Sequence, residues 1–456
     1  MKEPKNADQI ANFFCFENDH NLFEIRTQKG YPLWDIIRFQ VWKRIFLENS
    51  LSTIKSGSNI RRLKIFKFII IFIKHLYRKV DIIYFGLSRE KSSNDLNYDP
   101  YYDSIKPLLP NKHLFYDSYL NGDKYKEVNQ VFDVLPYYLK FIKIFTINNS
   151  TQVDDETYDK LVTLINTTFK KTIVTKENLV DLVRDFSISV RFYTWYLNSC
   201  KPNKLFFIHN GCKSLLYSAS KLDIKTYEFQ HGAIDNSIIM YSYNNFKNFE
   251  NGNVIFPDYL LTFSNVWIEK MLLPSKCIEV GNDFRFLTSA KKLNKKLDAK
   301  SVVFLSTIEH HLYLKDLVTE FALTNPSYTI YYKLHPQQFQ DYNYYIDVFK
   351  LYNNVHVLGF EYNMYDVLVL CDNFIAIYST ALFEVLQSQK RCIIYKRGNY
   401  FFFENFFEFD NVILIENSQE LTNFFEKENG MPPIKTKNHV FFKPFNSQQF
   451  SELITS

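Results

Sequence analysis

The chain reads as an α/β protein made of two doubly wound parallel-sheet domains that face a central cleft. Three observations predict this. The chain has 456 residues, more than one ordinary domain holds and suited to two of roughly 200 each. Short apolar runs recur along it with helix-length segments between many of them, the order that builds parallel sheets. Residue types able to do chemistry follow several of those runs, and such sheets bind ligands outside the carboxyl ends of their strands.

Residues 1–60 read as partly helical. Within them GYPLWDIIRFQVW, from Gly30 to Trp42, places Trp34, Ile37 and Val41 at helical spacing. The candidate strands of the first half are the apolar runs at 80–85, 114–116, 205–208, 226–229 and 259–263, which suit buried parallel strands. Those of the second half lie at 277–280, 302–305, 329–334, 355–358, 373–377 and 392–395, with helical stretches at 314–323 and 380–386. The domain boundary is expected near residues 255–265. That gives a first domain at 1–260 with a helical N-terminal extension, and a second at 261–456 whose tail, 448–454, packs back on the first.

Composition narrows the function class. With 46% hydrophobic and 23% charged residues, the chain has the balance of a globular enzyme. Aromatics reach 18%, and together with the abundant Asn, Lys and Ile they reflect an A- and T-rich genome rather than a stacking function. A net charge of +5 is too weak to argue for nucleic acid; it leaves an anionic membrane face or an anionic substrate as partners. Cys15, Cys200, Cys212, Cys277, Cys371 and Cys392 show no CxxC and no zinc spacing, which points to a reducing compartment without disulfides. The start, MKEPKNADQIANFF, carries no apolar signal core, so a cytoplasmic location is expected. Residues 61–79 hold KIFKFIIIFIKHLY among seven Lys and Arg. The apolar run is too short to span a bilayer, and two readings stand: a helix lying in the membrane interface, or a core-facing helix with a solvated basic side.

Four groups of residues carry candidate chemistry. Glu228-Phe229-Gln230-His231-Gly232 follows a strand. An imidazole there suits general-base chemistry, and Gly232 lets a ligand approach the backbone; a capped turn around a buried histidine is the other reading. Lys333-Leu334-His335-Pro336 ends another strand, where Pro336 fixes the turn. His335 can bond a phosphate oxygen there and Lys333 can add charge, unless this is a plain strand-end turn. In Tyr378-Ser379-Thr380-Ala381-Leu382-Phe383-Glu384, two hydroxyls open a helix and offer donors to an anion, or simply cap it. Glu384, about one turn on, could reach a sugar or ribose hydroxyl. Ser306 and Thr307 form a further strand-to-helix junction able to touch phosphate. Glu309, His310 and His311 follow and invite a metal reading, but helical neighbours point about 100° apart. The sequence has no P-loop and no G-x-G-x-x-G fingerprint, and only 11 Gly. Phosphate is therefore expected on side chains and helix ends, with no nicotinamide cofactor.

The order of these motifs resembles GT-B glycosyltransferases of bacterial surface polysaccharide synthesis. It is also similar to the CDP-glycerol glycerophosphotransferase (teichoic acid polymerase) family. The resemblance covers about residues 203–400. It rests on Gln230-His231-Gly232, Asp258-Tyr259-Leu260-Leu261-Thr262-Phe263-Ser264 leading to Glu279-Val280-Gly281-Asn282, and then residues 302–306, 333–336 and 366–384 in turn. GYPLWDIIRFQVW looks like segments of capsule and O-antigen transferases. The resemblance implies a GT-B-like fold of two Rossmann-like domains, a nucleotide-activated donor, and no catalytic metal. It makes His231 the base beside Glu228, with Gln230 and Gly232 on the acceptor side. His335, Ser379 and Thr380 fall on the donor phosphate, and Glu384 on the ribose or sugar; Ser306, Thr307, Lys333 and Pro336 are counted with the donor-binding residues from their strand-end positions. Glu384 stands where the glycerophosphotransferases tend to have Asp, and the residues before His231 differ from theirs. Both departures favour sugar transfer to a glycan or lipid-linked glycan acceptor. Three other functions stay open: polyol-phosphate transfer, nucleotide-sugar 2-epimerisation, and a non-catalytic role in glycan assembly.

Overall fold

Apolar, aromatic and β-branched runs become the strands, because a parallel sheet covered on both faces has no solvent side to supply polar alternation. The computed structural model describes residues 6–46, 62–86, 90–91, 97–117, 130–139, 155–170, 172–208, 211–235, 238–243, 253–269, 271–283, 300–427 and 440–456. Two units form: residues 10–280 with 445–456, and residues 281–444 with the first nine.

The first unit carries β1 (Ile82–Gly86), β2 (Glu90–Lys91), β3 (Asn97–Tyr98), β4 (His113–Asp117), β5 (Gln130–Phe132), β6 (Lys204–Phe207), β7 (Lys225–Phe229), β8 (Tyr259–Thr262) and β9 (Lys276–Glu279). Seven of them make one parallel sheet in the order β5-β4-β1-β6-β7-β8-β9; β2 and β3 form a separate antiparallel ribbon. The chain runs outward from β1 to β5, then restarts beside β1 with β6 and runs the other way. The switch point therefore lies between β1 and β6. The long helix Lys176–Cys200 covers one face of this sheet. Its N-terminus is closed by a capping box between Thr175 and Asn178, which satisfies amides left open at a helix start. Phe186, Val190, Phe192, Tyr193, Tyr196 and Leu197 of this helix join the strand residues in one core.

The second unit carries β10 (Ser301–Leu305), β11 (Thr329–Lys333), β12 (Val355–Leu358), β13 (Asn373–Ala376), β14 (Arg391–Tyr395) and β15 (Val412–Ile415). Their order is β12-β11-β10-β13-β14-β15, parallel throughout. This switch point lies between β10 and β13, where Val303 pairs Phe374 and Phe304 pairs Ile375. The helix His311–Thr324 sends Leu314, Leu317, Val318 and Phe321 into this unit's core.

Two doubly wound parallel sheets are thus present. The boundary differs from the expected 255–265. The strand at 276–279, read as part of the second half, pairs with β8 in the first sheet, and the second unit opens at Gly281. An apolar run shows that a strand exists but not which sheet it joins. The tail helix Ser447–Thr455 belongs to the first unit. Its fully buried Phe450 lies 5.4 Å from the Phe206 ring and 5.7 Å from that of Phe229. The Lys204 ammonium donates to the carbonyls of Leu453 (2.8 Å) and Ile454 (2.7 Å) at that helix's end. In the stretch 61–79 a helix spans Arg62–Leu76; residue 61 and the side chains of 62–68 lie outside the described residues. Among the described residues no helix is long and apolar enough to cross a membrane.

Candidate functional site

The two strands flanking the second switch point each deliver hydroxyl residues at their carboxyl ends. After β10 come Ser306 and Thr307; after β13 come Tyr378, Ser379 and Thr380. Ser306 is buried, and its hydroxyl lies 3.1 Å from the Tyr332 hydroxyl. Thr307 is 8% exposed. Ser379, half-buried, accepts the Ala381 amide at 3.3 Å, and Thr380 beside it makes no side-chain cap. The helix after Ser306 begins only at His311, so the expected strand-to-helix junction is a loop, 306–310.

That loop is fastened across the edge by His310. Its Nε2 accepts the Asn399 amide at 3.2 Å, which puts the ring proton on Nδ1. Gly398, just before, has φ +52°, and a Cβ there would come within 2.5–2.7 Å of the His310 ring. Only glycine meets both demands without strain. Burial pushes the His310 pKa below its usual value, with His311 adding to the shift and Glu309 opposing it. A neutral acceptor imidazole fits that environment. His311 instead bonds the Ile308 carbonyl through Nδ1 at 2.8 Å. The adjacent histidines thus serve different partners, and among the described residues no group of three or more His, Cys, Asp or Glu is placed to hold a metal ion.

One strand further out, His335 follows β11. Gln338 clamps its backbone: the His335 amide donates to the Gln338 Oε1 at 3.0 Å, and the Gln338 amide returns a bond to the His335 carbonyl at 2.8 Å. The ring is half-buried and Pro336 is exposed at the start of the 3-10 turn Pro336–Asp341. Two neighbours expected on the donor are placed otherwise. Lys333 is buried. Its ammonium donates to the carbonyls of Gly359 (2.8 Å) and Leu334 (3.1 Å) and sits 4.6 Å from the Phe339 ring centre. It ties the ends of β11 and β12 together instead of facing a ligand. Glu384 has no exposed surface, and Leu382, Phe383, Val385 and Leu386 around it are buried too. Its short helix is enclosed on nearly every side, which sets this carboxyl inside the unit and not at the surface the sequence suggested.

In the first unit, His231 stands half-buried just past β7. Gln230 builds its turn. The Gln230 Nε2 donates to the Gly232 carbonyl, and its Oε1 accepts the Phe263 amide, both at 2.9 Å. Gln230 is fully buried, so it shapes the loop and is not open to an acceptor. A second brace comes from Tyr101, whose hydroxyl donates to the His231 carbonyl at 3.5 Å. Tyr101 lies in the helix Pro100–Ile105, capped by Asp99, which accepts the amides of Tyr101 and Tyr102. Gly86 at the end of β1 makes room for that cap: a Cβ there would come within 2.4 Å of the Asp99 carboxylate. Glu228, read as catalytic, is fully buried and accepts the Tyr241 hydroxyl at 2.5 Å. Its position within β7 turns it into the protein, while His231 lies beyond the strand.

A network that sequence reading missed holds the N-terminal segment to the residues after β7. Arg38 donates to both oxygens of Glu17, at 2.5 and 2.8 Å, and to the carbonyls of Ile239 (2.8 Å) and Ser242 (2.7 Å). The Tyr243 ring lies 4.6 Å from its guanidinium carbon. Burial works against the Arg38 charge, and Glu17 outweighs it. Burial also pushes the Glu17 carboxyl upward. All its partners here, Trp34 Nε1 (2.6 Å) included, are donors, which fits the carboxylate. Next to it, Lys213 pairs with Asp35 at 3.1 Å, and Asp35 accepts the Tyr243 hydroxyl (3.1 Å) and the Ile255 amide (2.8 Å). Burial pushes the Lys213 pKa down, with Asp35 opposing. The signal was present in the sequence: Asp35 and Arg38 interrupt the apolar helical run of Trp34, Ile37 and Val41.

No family model matches the chain, and no curated protein matches it. Solved structures similar to it include a UDP-GlcNAc 2-epimerase from Methanocaldococcus jannaschii, at 12% identity and TM-score 0.44, covering 82% of this chain and 99% of that one. A UDP-GlcNAc 2-epimerase from Neisseria meningitidis bound to UDP-GlcNAc is 11% identical with TM-score 0.40, covering 82% and 98%. MurG from Acinetobacter baumannii is 10% identical with TM-score 0.42, covering 82% and 99%.

Proposed function

We propose that this chain is a glycosyltransferase that moves a sugar from a nucleotide-activated donor to a surface-glycan acceptor. The observation that carries this reading is the strand order of the second sheet. It sets Ser306–Thr307 and Ser379–Thr380 on the two strands beside the switch point, with His335 one strand away. That edge is where open α/β sheets take phosphate-bearing ligands. Thr380 and Ser379 at the edge and the His335 ring are half-buried, as groups that meet a ligand are.

In the reaction, the acceptor hydroxyl attacks the anomeric carbon. The bond from that carbon to the donor phosphate oxygen breaks, and the nucleotide leaves with the electron pair. Hydroxyl and imidazole donors at the second sheet's edge oppose the charge growing on the leaving phosphate, a preorganised effect that is often the largest in such chemistry. His231 takes the acceptor proton, a contribution of roughly 10²–10⁴-fold. Gln230 and Tyr101 fix the turn that carries it. No metal is called for in this scheme. In this scheme Lys333 and Glu228 bond within the protein and Glu384 stays enclosed, so none of the three is assigned to substrate.

A thermal-shift panel of CMP, CDP, UDP and GDP, followed by transfer assays with the matching sugar and with CDP-glycerol, tests the proposal. One nucleotide stabilises the protein, and Ser379→Ala with His335→Ala removes that shift. His231→Ala then lowers transfer by about 10²–10⁴-fold while nucleotide binding persists. Near-normal transfer by His231→Ala removes it from the chemistry. Product formed without acceptor would turn the reading toward epimerisation.

A further inference from the structure

Among the described residues of the helix Arg62–Leu76, one apolar stripe is covered by the protein and a second is exposed. Phe72 and Leu76 are buried, with Ile69 packed beside them in the core of the first unit. Phe72 contacts the rings of Phe192 (5.9 Å) and Tyr196 (5.3 Å) on the helix Lys176–Cys200. One position further round, Ile70 is 66% exposed, Ile73 55% and Tyr77, just past the helix end, 74%. Positions 70, 73 and 77 follow helical spacing and form a single outward stripe. On the neighbouring helix Trp195, 45% exposed, lies 6.3 Å from the buried Phe72 and adds a second exposed aromatic ring to this side of the unit. Isolated exposed apolar residues are ordinary on a protein surface, but a contiguous patch of this kind marks an interaction site.

Charge chooses the occupant. Residues 51–80 contain eight Lys and Arg and no Asp or Glu. Lys74, Arg78 and Lys79 are exposed along the stripe, and so is Lys201, where the neighbouring helix ends: the Val80 amide bonds the Cys200 carbonyl at 3.1 Å. A second copy of this chain would set cations against cations. We propose that this face docks the protein on an anionic lipid bilayer, lying in the interface without crossing it. Ile70 and Ile73 enter the acyl boundary. Tyr77 and Trp195 sit at headgroup depth, where rings with one polar end are favoured. The lysines and arginines meet the lipid phosphates. This inference is independent of the reaction assigned above.

Flotation of the full chain with vesicles tests it. The expected result is binding to phosphatidylglycerol/phosphatidylethanolamine vesicles at least about tenfold stronger than to phosphatidylcholine vesicles, weakening as salt rises. Ile70→Ser with Ile73→Ser and Tyr77→Ser reduces it by about tenfold or more, and Lys74→Glu with Lys79→Glu does the same. Because these side chains are exposed, thermal unfolding of both variants should match the parent. If the serine variant misfolds, the charge variant decides alone. The proposal is overturned if the parent ignores anionic vesicles, binds neutral ones equally well, or binds as before with the charges reversed. It is equally overturned if gel filtration shows a dimer that the serine variant dissolves, which would give the face to a second copy.

Discussion

The strand-end edges of the two sheets solve one problem by different means. Both must hold long loops in place without a glycine-rich frame. At the first edge the fastening is charge taken out of water: Arg38 on Glu17 and Lys213 on Asp35, with Tyr243 contacting both cations. At the second edge the fastening at the switch point is neutral: Ser306 on Tyr332 and His310 on the Asn399 amide. Breaking a buried ion pair leaves an uncompensated charge, at about 3–5 kcal/mol, whereas a buried neutral group left without its bond costs about 1–3 kcal/mol. The first edge is therefore the one that loses more when a single partner is removed.

Arg38→Met tests the contrast most severely. It strands the Glu17 carboxylate and should cost about 3–5 kcal/mol in urea unfolding, with part of that recovered by adding Glu17→Gln. A loss below about 1 kcal/mol would mean that the pair is hydrated and that the two edges do not differ in kind. Gly398→Ala at the other edge should cost less, about 1–3 kcal/mol from its positive φ and the His310 ring, and His310→Ala should relieve the crowding. The smallest effect sharpens the neutral character of His310. Its pKa is depressed in the folded protein, so the unfolded chain binds the proton more readily. The stability from this group is present above the unfolded value near 6.5 and is lost as pH falls below it. The melting temperature of the parent should thus drop more than that of His310→Gln between about pH 7 and pH 5.5. Parallel pH profiles for the two proteins would remove the burial argument.

Strands were the legible part of this sequence. The run at 355–358 coincides with β12, and those at 226–229 and 302–305 lie within one residue of β7 and β10, because buried parallel strands are nearly pure apolar segments. β5 and β15 went unread: the former spans three residues, and the latter, VILI, follows an aromatic-rich turn that hid its start. Strand order has no local signature, so neither the switch points nor the membership of β9 could be inferred. The site was legible in its strand-end positions and not in its orientations. His231, His335, Ser379 and Thr380 fall just past strands and remain partly open. Glu228, Lys333 and Glu384 are polar residues within a strand or a buried helix, and a one-residue difference in a period-two strand turns a side chain to the other face. Gly398, His310 and Asn399 meet only because two loops cross the same edge, a contact between residues 89 positions apart.

Phe450 gives the molecule a particular history. The ring that closes over Phe206 and Phe229 is translated after residues 281–444. At roughly 5–20 residues per second, a ribosome needs on the order of ten seconds or more to reach it. Until then Phe206 and Phe229 lack the ring that covers them in the folded unit. A chaperone that binds apolar patches would find its target before the helix Ser447–Thr455 docks and lose it afterwards.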